Sequence, residues 1–99
     1  PIWDANCVMA CHEPAGSAAS SVLLTPGEAY DGLVDKNSIA FPSLVHVVPG
    51  NRDDSYLWHK INNTQLEFGG GGSKMPLGGM LSSDDITKIG EWINQGAKP

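Results

Sequence analysis

The sequence predicts an all-α domain of about four short helices. Three observations predict this class. Apolar residues recur at helical spacing near both ends of the chain, capping residues precede several of these patterns, and no stretch is a convincing part of a sheet. With 99 residues the chain is expected to form one domain, residues 1–99.

The first helix is expected over residues 1–11. Trp3, Cys7 and Cys11 are spaced by four, so they share one helix face. Residues 13–24 are small and rich in helix breakers, which is typical of a loop that can lie close to a flat ligand.

A second short helix is expected to begin at Thr25, a good N-cap, with Pro26 at the first helical position. An extended apolar piece follows at residues 44–48. A third helix is expected over about residues 53–62, capped by Asn51 or Asp53.

Four consecutive glycines, residues 69–72, indicate an internal loop that passes close to something bulky. Ser82 and Asp85 have capping-box spacing and predict a last helix that stops near Gly96. The inner stripe of this helix is formed by Ile86, Ile89, Gly90 and Ile93. Gly90 is expected to allow close contact with another helix, and the expected partner is the first helix, with bulky Trp3.

Composition limits the partners and the compartment. The formal net charge of −5 argues against nucleic acid or an anionic membrane surface, and no apolar run approaches the roughly 20 residues of a membrane span. Because hydrophobic residues are 40% of the chain and 12 glycines interrupt it, the core is thin and a bound prosthetic group would enlarge it. The chain opens inside a predicted helix, so we expect a domain trimmed or excised from a longer exported protein.

The segment Cys7-Val8-Met9-Ala10-Cys11-His12 has the arrangement that holds a covalent c-type haem. Both thiols add to the porphyrin vinyl groups, and the imidazole of His12 binds the iron. The usual spacer has two residues and this one has three. On a helix, neighbours at i+3 and i+4 lie on the same face, so the longer spacer still presents both sulfurs to one porphyrin edge.

Other interpretations of this segment stay open. Cys7 and Cys11 could form a disulfide, although bridge geometry within one helix is awkward. A zinc site would need a further ligand from His46 or His59. The two cysteines could also be reduced residues with no chemical role.

Met75, in Lys74-Met75-Pro76, is the candidate sixth ligand of the iron. A thioether is a soft neutral ligand that raises the reduction potential. Alone, Met75 would be interpreted as a residue filling the core, and Met80 is its rival as ligand. Arg52 is the natural partner of a haem propionate by charge, with Tyr56 and Trp58 as alternatives. His46 and His59 are expected to be surface or hydrogen-bonded residues.

Together these segments resemble the cytochrome c superfamily over nearly the whole chain, and in particular the c-type modules of larger exported bacterial proteins. The resemblance is carried by Trp3, Cys7 to His12, Val47-Val48-Pro49-Gly50-Asn51, Met75-Pro76-Leu77-Gly78-Gly79, Leu81 to Ile86, and Trp92-Ile93-Asn94-Gln95-Gly96-Ala97. It implies the cytochrome c fold, in which the N- and C-terminal helices cross beside one covalent haem. It also implies that a backbone carbonyl, here from residues 24–26, orients the proximal histidine. The departures are the three-residue spacer and a shortened first helix.

The expected function is electron transfer by a single-haem module that does not transform a substrate. Its expected cofactor is one haem c per chain, its location the periplasm or another exported compartment, and its partners redox proteins with basic docking patches. It would not insert in a membrane, and as a module it would be joined to other domains. The alternative is a haem sensor or peroxidase-like enzyme with an open distal site.

Overall fold

A computed structural model describes the following residues of the chain: 2, 7, 12, 16, 24–25, 29–39, 41–76 and 81–98. This part of the chain is helical and contains no β-strand. Its nearest approach to a sheet is two isolated bridges, a parallel one between Val34 and Val47 and an antiparallel one between Asn37 and Val45. These bridges involve the apolar segment that was expected to be extended. The described residues therefore agree with the all-α class.

Helix α1 spans Ala29–Leu33. The amide of Ala29 donates to the carbonyl oxygen of Thr25 at 3.1 Å, a bond of helical spacing. This agrees with the predicted start near Thr25, although Pro26 and the two residues after it lie outside the described residues.

The third predicted helix is divided in two. A 3-10 turn spans Arg52–Asp54 and helix α2 spans Tyr56–Asn62. Asn51 caps the turn, as one of the two expected residues, because its Oδ1 accepts from the amide of Asp54 at 3.2 Å.

Ser55 separates the turn from α2, and its hydrogen bonds explain the division. The buried hydroxyl accepts from the amide of Val48 at 2.8 Å and donates to the carbonyl of Asn51 at 2.9 Å. Such side-chain bonds to the backbone compete with helical bonding. The expected continuous helix over residues 53–62 is therefore wrong in its first turn.

Helix α3 spans Ser83–Asn94 and agrees with the prediction. Ser82 is the N-cap, and its Oγ accepts from the amide of Asp85 at 3.1 Å. The predicted stripe faces inward: Ile89, Gly90 and Ile93 are buried. No helix in the described ranges is long and apolar enough to cross a bilayer.

The core is one cluster of buried apolar side chains. Its members are Leu24, Ala29, Leu33, Val47, Ile61, Leu81, Ile89, Ile93 and Ala97. Ile2 and Cys7 pack against this cluster. The rest of the predicted first helix lies outside the described residues, so its predicted crossing with α3 stays a prediction.

Gly90 lies against α2 and the 3-10 turn. Among described atoms, those nearest to a Cβ placed on Gly90 would be Trp58 Cζ3, at 2.6 Å, and Arg52 Nη1, at 2.9 Å. The expectation of a glycine-mediated helix contact is confirmed, with Trp58 as the described partner. Trp3, the expected partner, lies outside the described residues.

Candidate functional site

The structure describes four of the five predicted site residues: Cys7, His12, Met75 and Arg52. Cys11 lies outside the described residues, as does Met80, the rival of Met75.

Cys7 and His12 belong to one locally bonded segment. The amide of His12 donates to the carbonyl of Cys7 at 3.3 Å, and Cys7 has a π-helical conformation. Both side chains are half-buried, and Cys7 packs against the core cluster. Cys7, the first residue of the predicted attachment segment, therefore lies at the edge of the core.

Leu24 joins His12 to the core. Its amide donates to the carbonyl oxygen of His12 at 2.9 Å, and its side chain is buried in the core cluster. Leu24, one residue of the segment expected to orient this histidine, therefore lies beside it. The contact shown is between two backbone groups, whereas the expectation concerned a carbonyl and the imidazole, which stays a prediction.

Met75 is anchored to α2. Its amide donates to the carbonyl oxygen of Lys60 at 3.0 Å, and its side chain is half-buried. Lys60 precedes Ile61, which is buried in the core cluster. The backbone of the candidate distal ligand is therefore tied to a helix that packs on the core.

The glycine loop, residues 69–72, precedes Met75 and lies against two aromatic rings. A Cβ on Gly70 would overlap the ring of Tyr56, and one on Gly71 would lie 2.9 Å from Phe41 Cζ. The prediction that this loop passes close to something bulky is confirmed. The bulky groups shown are side chains of the protein itself, so the glycines alone give no argument for haem.

Three side chains hold the glycine loop by hydrogen bonds. Tyr56 Oη lies 3.3 Å from both the amide and the carbonyl oxygen of Gly71. Lys60 Nζ donates to the same carbonyl at 2.7 Å, and Gln65 Nε2 donates to the carbonyl of Gly72 at 3.1 Å. Burial lowers the pKa of Lys60 from its ordinary value. We call Tyr56, Lys60 and Gln65 the loop clamp.

The loop clamp was not predicted from the sequence. The one sequence feature from which part of it could have been predicted is the spacing of Tyr56 and Lys60, which places both residues on one face of α2. Nothing in the sequence indicates that Gln65, after the end of the helix, is 2% exposed and bonded to the loop.

Arg52 lies over the ring of Trp58, with Cζ at 4.7 Å from the ring centroid. This geometry is a cation–π contact. The backbone amide of Arg52 donates to Asn94 Oδ1 at 3.0 Å, and this bond joins the 3-10 turn to the end of α3. Within the described part of the chain no acceptor is bonded to the guanidinium, so its N–H groups remain able to bind an anion.

The two later histidines have structural hydrogen bonds. His59 Nδ1 is bonded to Thr64 Oγ1 and Nε2 to the carbonyl of Asp53, both at 2.7 Å. His46 Nδ1 is bonded to the carbonyl of Gly32 at 3.1 Å. With both nitrogens engaged, His59 is a poor zinc ligand. In the described ranges no three residues of the types His, Cys, Asp and Glu are grouped to hold a metal ion.

An open cavity of about 380 Å³ lies beside α2, and Trp58, the residue whose ring Arg52 covers, is part of its lining. It is lined by Trp58, His59, Asn62, Thr64, Glu67 and Phe68. The ring of His59 stacks on that of Phe68 with centroids 4.0 Å apart.

The donor set of the predicted site fits a c-type haem. Two thiols, one imidazole and one thioether are the groups that attach the porphyrin and complete the coordination of its iron. The half-buried Cys7 at the edge of an apolar cluster suits a large apolar ligand. Comparison of this chain with protein-family models, curated proteins and solved structures finds no match.

Proposed function

We propose that the chain is a single-haem electron-transfer domain with the cytochrome c fold. Cys7 and Cys11 hold the haem, His12 is the proximal ligand and Met75 the distal ligand. When bound, the haem supplies an iron that accepts and releases one electron. The protein binds no substrate to be transformed, and in this sense it is not an enzyme.

The observation that carries the proposal is the Cys7-to-His12 motif followed by Met75, with both parts anchored. Leu24 ties His12 to the core, and Lys60 ties Met75 to α2. A ligand pair on fixed backbones suits electron transfer, because little then has to move when the charge of the site changes.

Arg52 is proposed to bind a haem propionate. The Trp58 ring engages one face of its guanidinium, and the N–H groups lie at the edge of that plane. A propionate is an anion of the kind that this edge binds, so one side chain can serve both partners.

The proposed partners are redox proteins with basic docking patches, in the periplasm or another exported compartment. The net charge of −5 supports this choice of partner. Covalent haem attachment outside the cytoplasm supports the location. Association with such a partner is expected to weaken as salt screens the charges.

The first experiment expresses the exported chain together with a haem-attachment system and records the visible spectrum and the intact mass. We expect a Soret band and a mass increase of one haem that persists in denaturant. Cys7→Ser combined with Cys11→Ser is the control and should lose both signals. A variant lacking Ala10 has the usual two-residue spacer. If haem became attached to this variant but not to the natural chain, the three-residue spacer would be what prevents attachment, and the proposal for the natural chain would be contradicted.

The second experiment tests the distal ligand. Met75→Ala should lower the reduction potential, remove the weak far-red band of the oxidised protein and admit carbon monoxide to the reduced protein. Met80→Ala is the matched control and should change none of these. Rapid binding of carbon monoxide to the unaltered protein would favour the sensor or peroxidase-like alternative.

A further inference from the structure

Gln65 is buried, yet its side chain is only half satisfied. It is 2% exposed, and its Oε1 accepts no hydrogen bond from any residue that the structure describes. Its Nε2 donates to the carbonyl of Gly72 at 3.1 Å. A buried acceptor without a donor is destabilising, and an apolar side chain of the same shape would avoid this cost. The useful part of Gln65 is therefore the bond that its amide makes to the loop.

That bond is one of several that hold the chain between Gly71 and Met75. Tyr56 and Lys60 are bonded to Gly71, Gln65 to Gly72, and the amide of Met75 to the carbonyl of Lys60. Gly72 has a φ of +74°, in the left-handed region, and the chain bends at this residue, three positions before Met75. Removing the hydrogen bond from Gln65 to the carbonyl of Gly72 is therefore expected to loosen the chain at this bend.

We propose that Gln65 is a positioning residue for Met75, and that with Tyr56 and Lys60 it holds Met75 against loss from the iron. The proposal rests on the proposed ligation by Met75. The carbonyl of Gly72 belongs to an exposed residue, so water can bond to it once the glutamine amide is gone. Removing Gln65 is therefore expected to loosen the loop without unfolding the domain.

The decisive variant is Gln65→Met in the haem-loaded protein, because methionine keeps the length of the side chain and removes the amide. Its denaturation midpoint should be unchanged or higher. The fraction of reduced protein that binds carbon monoxide rapidly should rise about fivefold, the ratio that corresponds to one neutral hydrogen bond. The far-red band of the oxidised protein should weaken, and hydrogen exchange at the amide of Met75 should accelerate by a similar factor.

Ser82→Ala is the control. It removes the cap of α3 and lowers stability without removing any hydrogen bond of the loop clamp. In Ser82→Ala, any increase in carbon monoxide binding should be in proportion to the loss of stability. If Gln65→Met shows the same proportion, Gln65 has only a structural role and the proposal fails. Unchanged ligation and exchange at Met75 in Gln65→Met would also overturn it.

Two further results remain decisive. If Gln65→Met does not fold, Lys60→Met can replace it, because it removes the bond to the carbonyl of Gly71. This variant should also bind more carbon monoxide without a matching loss of stability. If the unaltered protein already binds carbon monoxide rapidly, Met75 is not the ligand and the proposed ligation fails. Exchange at the Met75 amide then tests the clamp alone, since the bond of this amide to the carbonyl oxygen of Lys60 is observed in the structure itself.

Discussion

Helix α2 contacts two neighbours through aromatic rings that point in nearly opposite directions. Trp58 meets Gly90 of α3, and Tyr56, two positions earlier, meets Gly70 of the glycine loop. In both contacts the neighbour has no side chain at the point of approach. The surroundings differ: Arg52 covers the Trp58 ring, whereas the hydroxyl of Tyr56 is bonded to the loop backbone.

This difference shows how a glycine serves a helix and a loop in different ways. In α3 the backbone is already fixed by helical hydrogen bonds, so Gly90 has only to leave space. In the loop the missing side chains also leave space, but they allow the backbone many conformations. The hydrogen bonds of the loop clamp are then needed to fix one of these conformations. Substitutions at Gly90, Gly70 and Tyr56 separate these two roles.

The largest effect is expected for Gly90→Ala. The new methyl group would meet Trp58 and Arg52 at less than contact distance, which costs about 1–3 kcal/mol, and helix propensity returns at most about 1 kcal/mol. A net loss of about 1–2 kcal/mol should appear in urea denaturation. Lys88→Ala, exposed on the same helix, is the control. A protein made more stable by Gly90→Ala would contradict the packing.

Gly70→Ala should cost less, about 1 kcal/mol. The methyl group overlaps the ring of Tyr56, but a loop can shift by more than a helix can, and alanine also reduces the freedom of the unfolded chain. In a Tyr56→Leu background the penalty should disappear. Equal losses in both backgrounds would show that the ring is not the cause.

Tyr56→Phe keeps the ring and removes the hydroxyl, so it tests position separately from space. The loss should be about 0.5–1 kcal/mol, with faster hydrogen exchange at the amide of Gly71. The chain's other tyrosine supplies the control: Tyr30 is 37% exposed, and Tyr30→Phe should have little effect. If the two variants behave alike, the hydroxyl of Tyr56 does not hold the loop.

The smallest effect concerns pH. Burial lowers the pKa of Lys60 from 10.5, so between the lowered pKa and 10.5 the unfolded chain binds more protons than the folded chain. Stability therefore rises with pH across that window, and the cost of burying the charge is fully present below it. Denaturation between pH 8 and pH 10.5 should show the natural protein gaining stability relative to Lys60→Met. A stability difference between the natural protein and Lys60→Met that falls as the pH rises would contradict the sign.

Local signals explain which elements were predictable. The cap at Ser82 and the stripe through Ile93 depend on neighbours within a turn or two, so α3 was predicted nearly to its ends. The interruption at Ser55 was missed because its hydroxyl bonds to Val48, which approaches only when the chain folds back. For the same reason the sequence indicated that Gly90 packs closely and did not indicate Trp58.

The candidate site also has a part that was predictable from the sequence and a part that depends on the folded chain. The sequence by itself determined the proposed donor set, Cys7, Cys11, His12 and Met75, because ligand chemistry depends on residue type and spacing. The tertiary structure alone decided which contacts hold two of these residues: Leu24 is bonded to His12, and Lys60 is bonded to Met75, which follows the loop held by the clamp. Such bonds join residues distant in sequence, and their geometry exists only after the core has packed. The distance and angle of a hydrogen bond are set only when both partners are in place, whereas the chemical type of a candidate ligand is evident from the sequence.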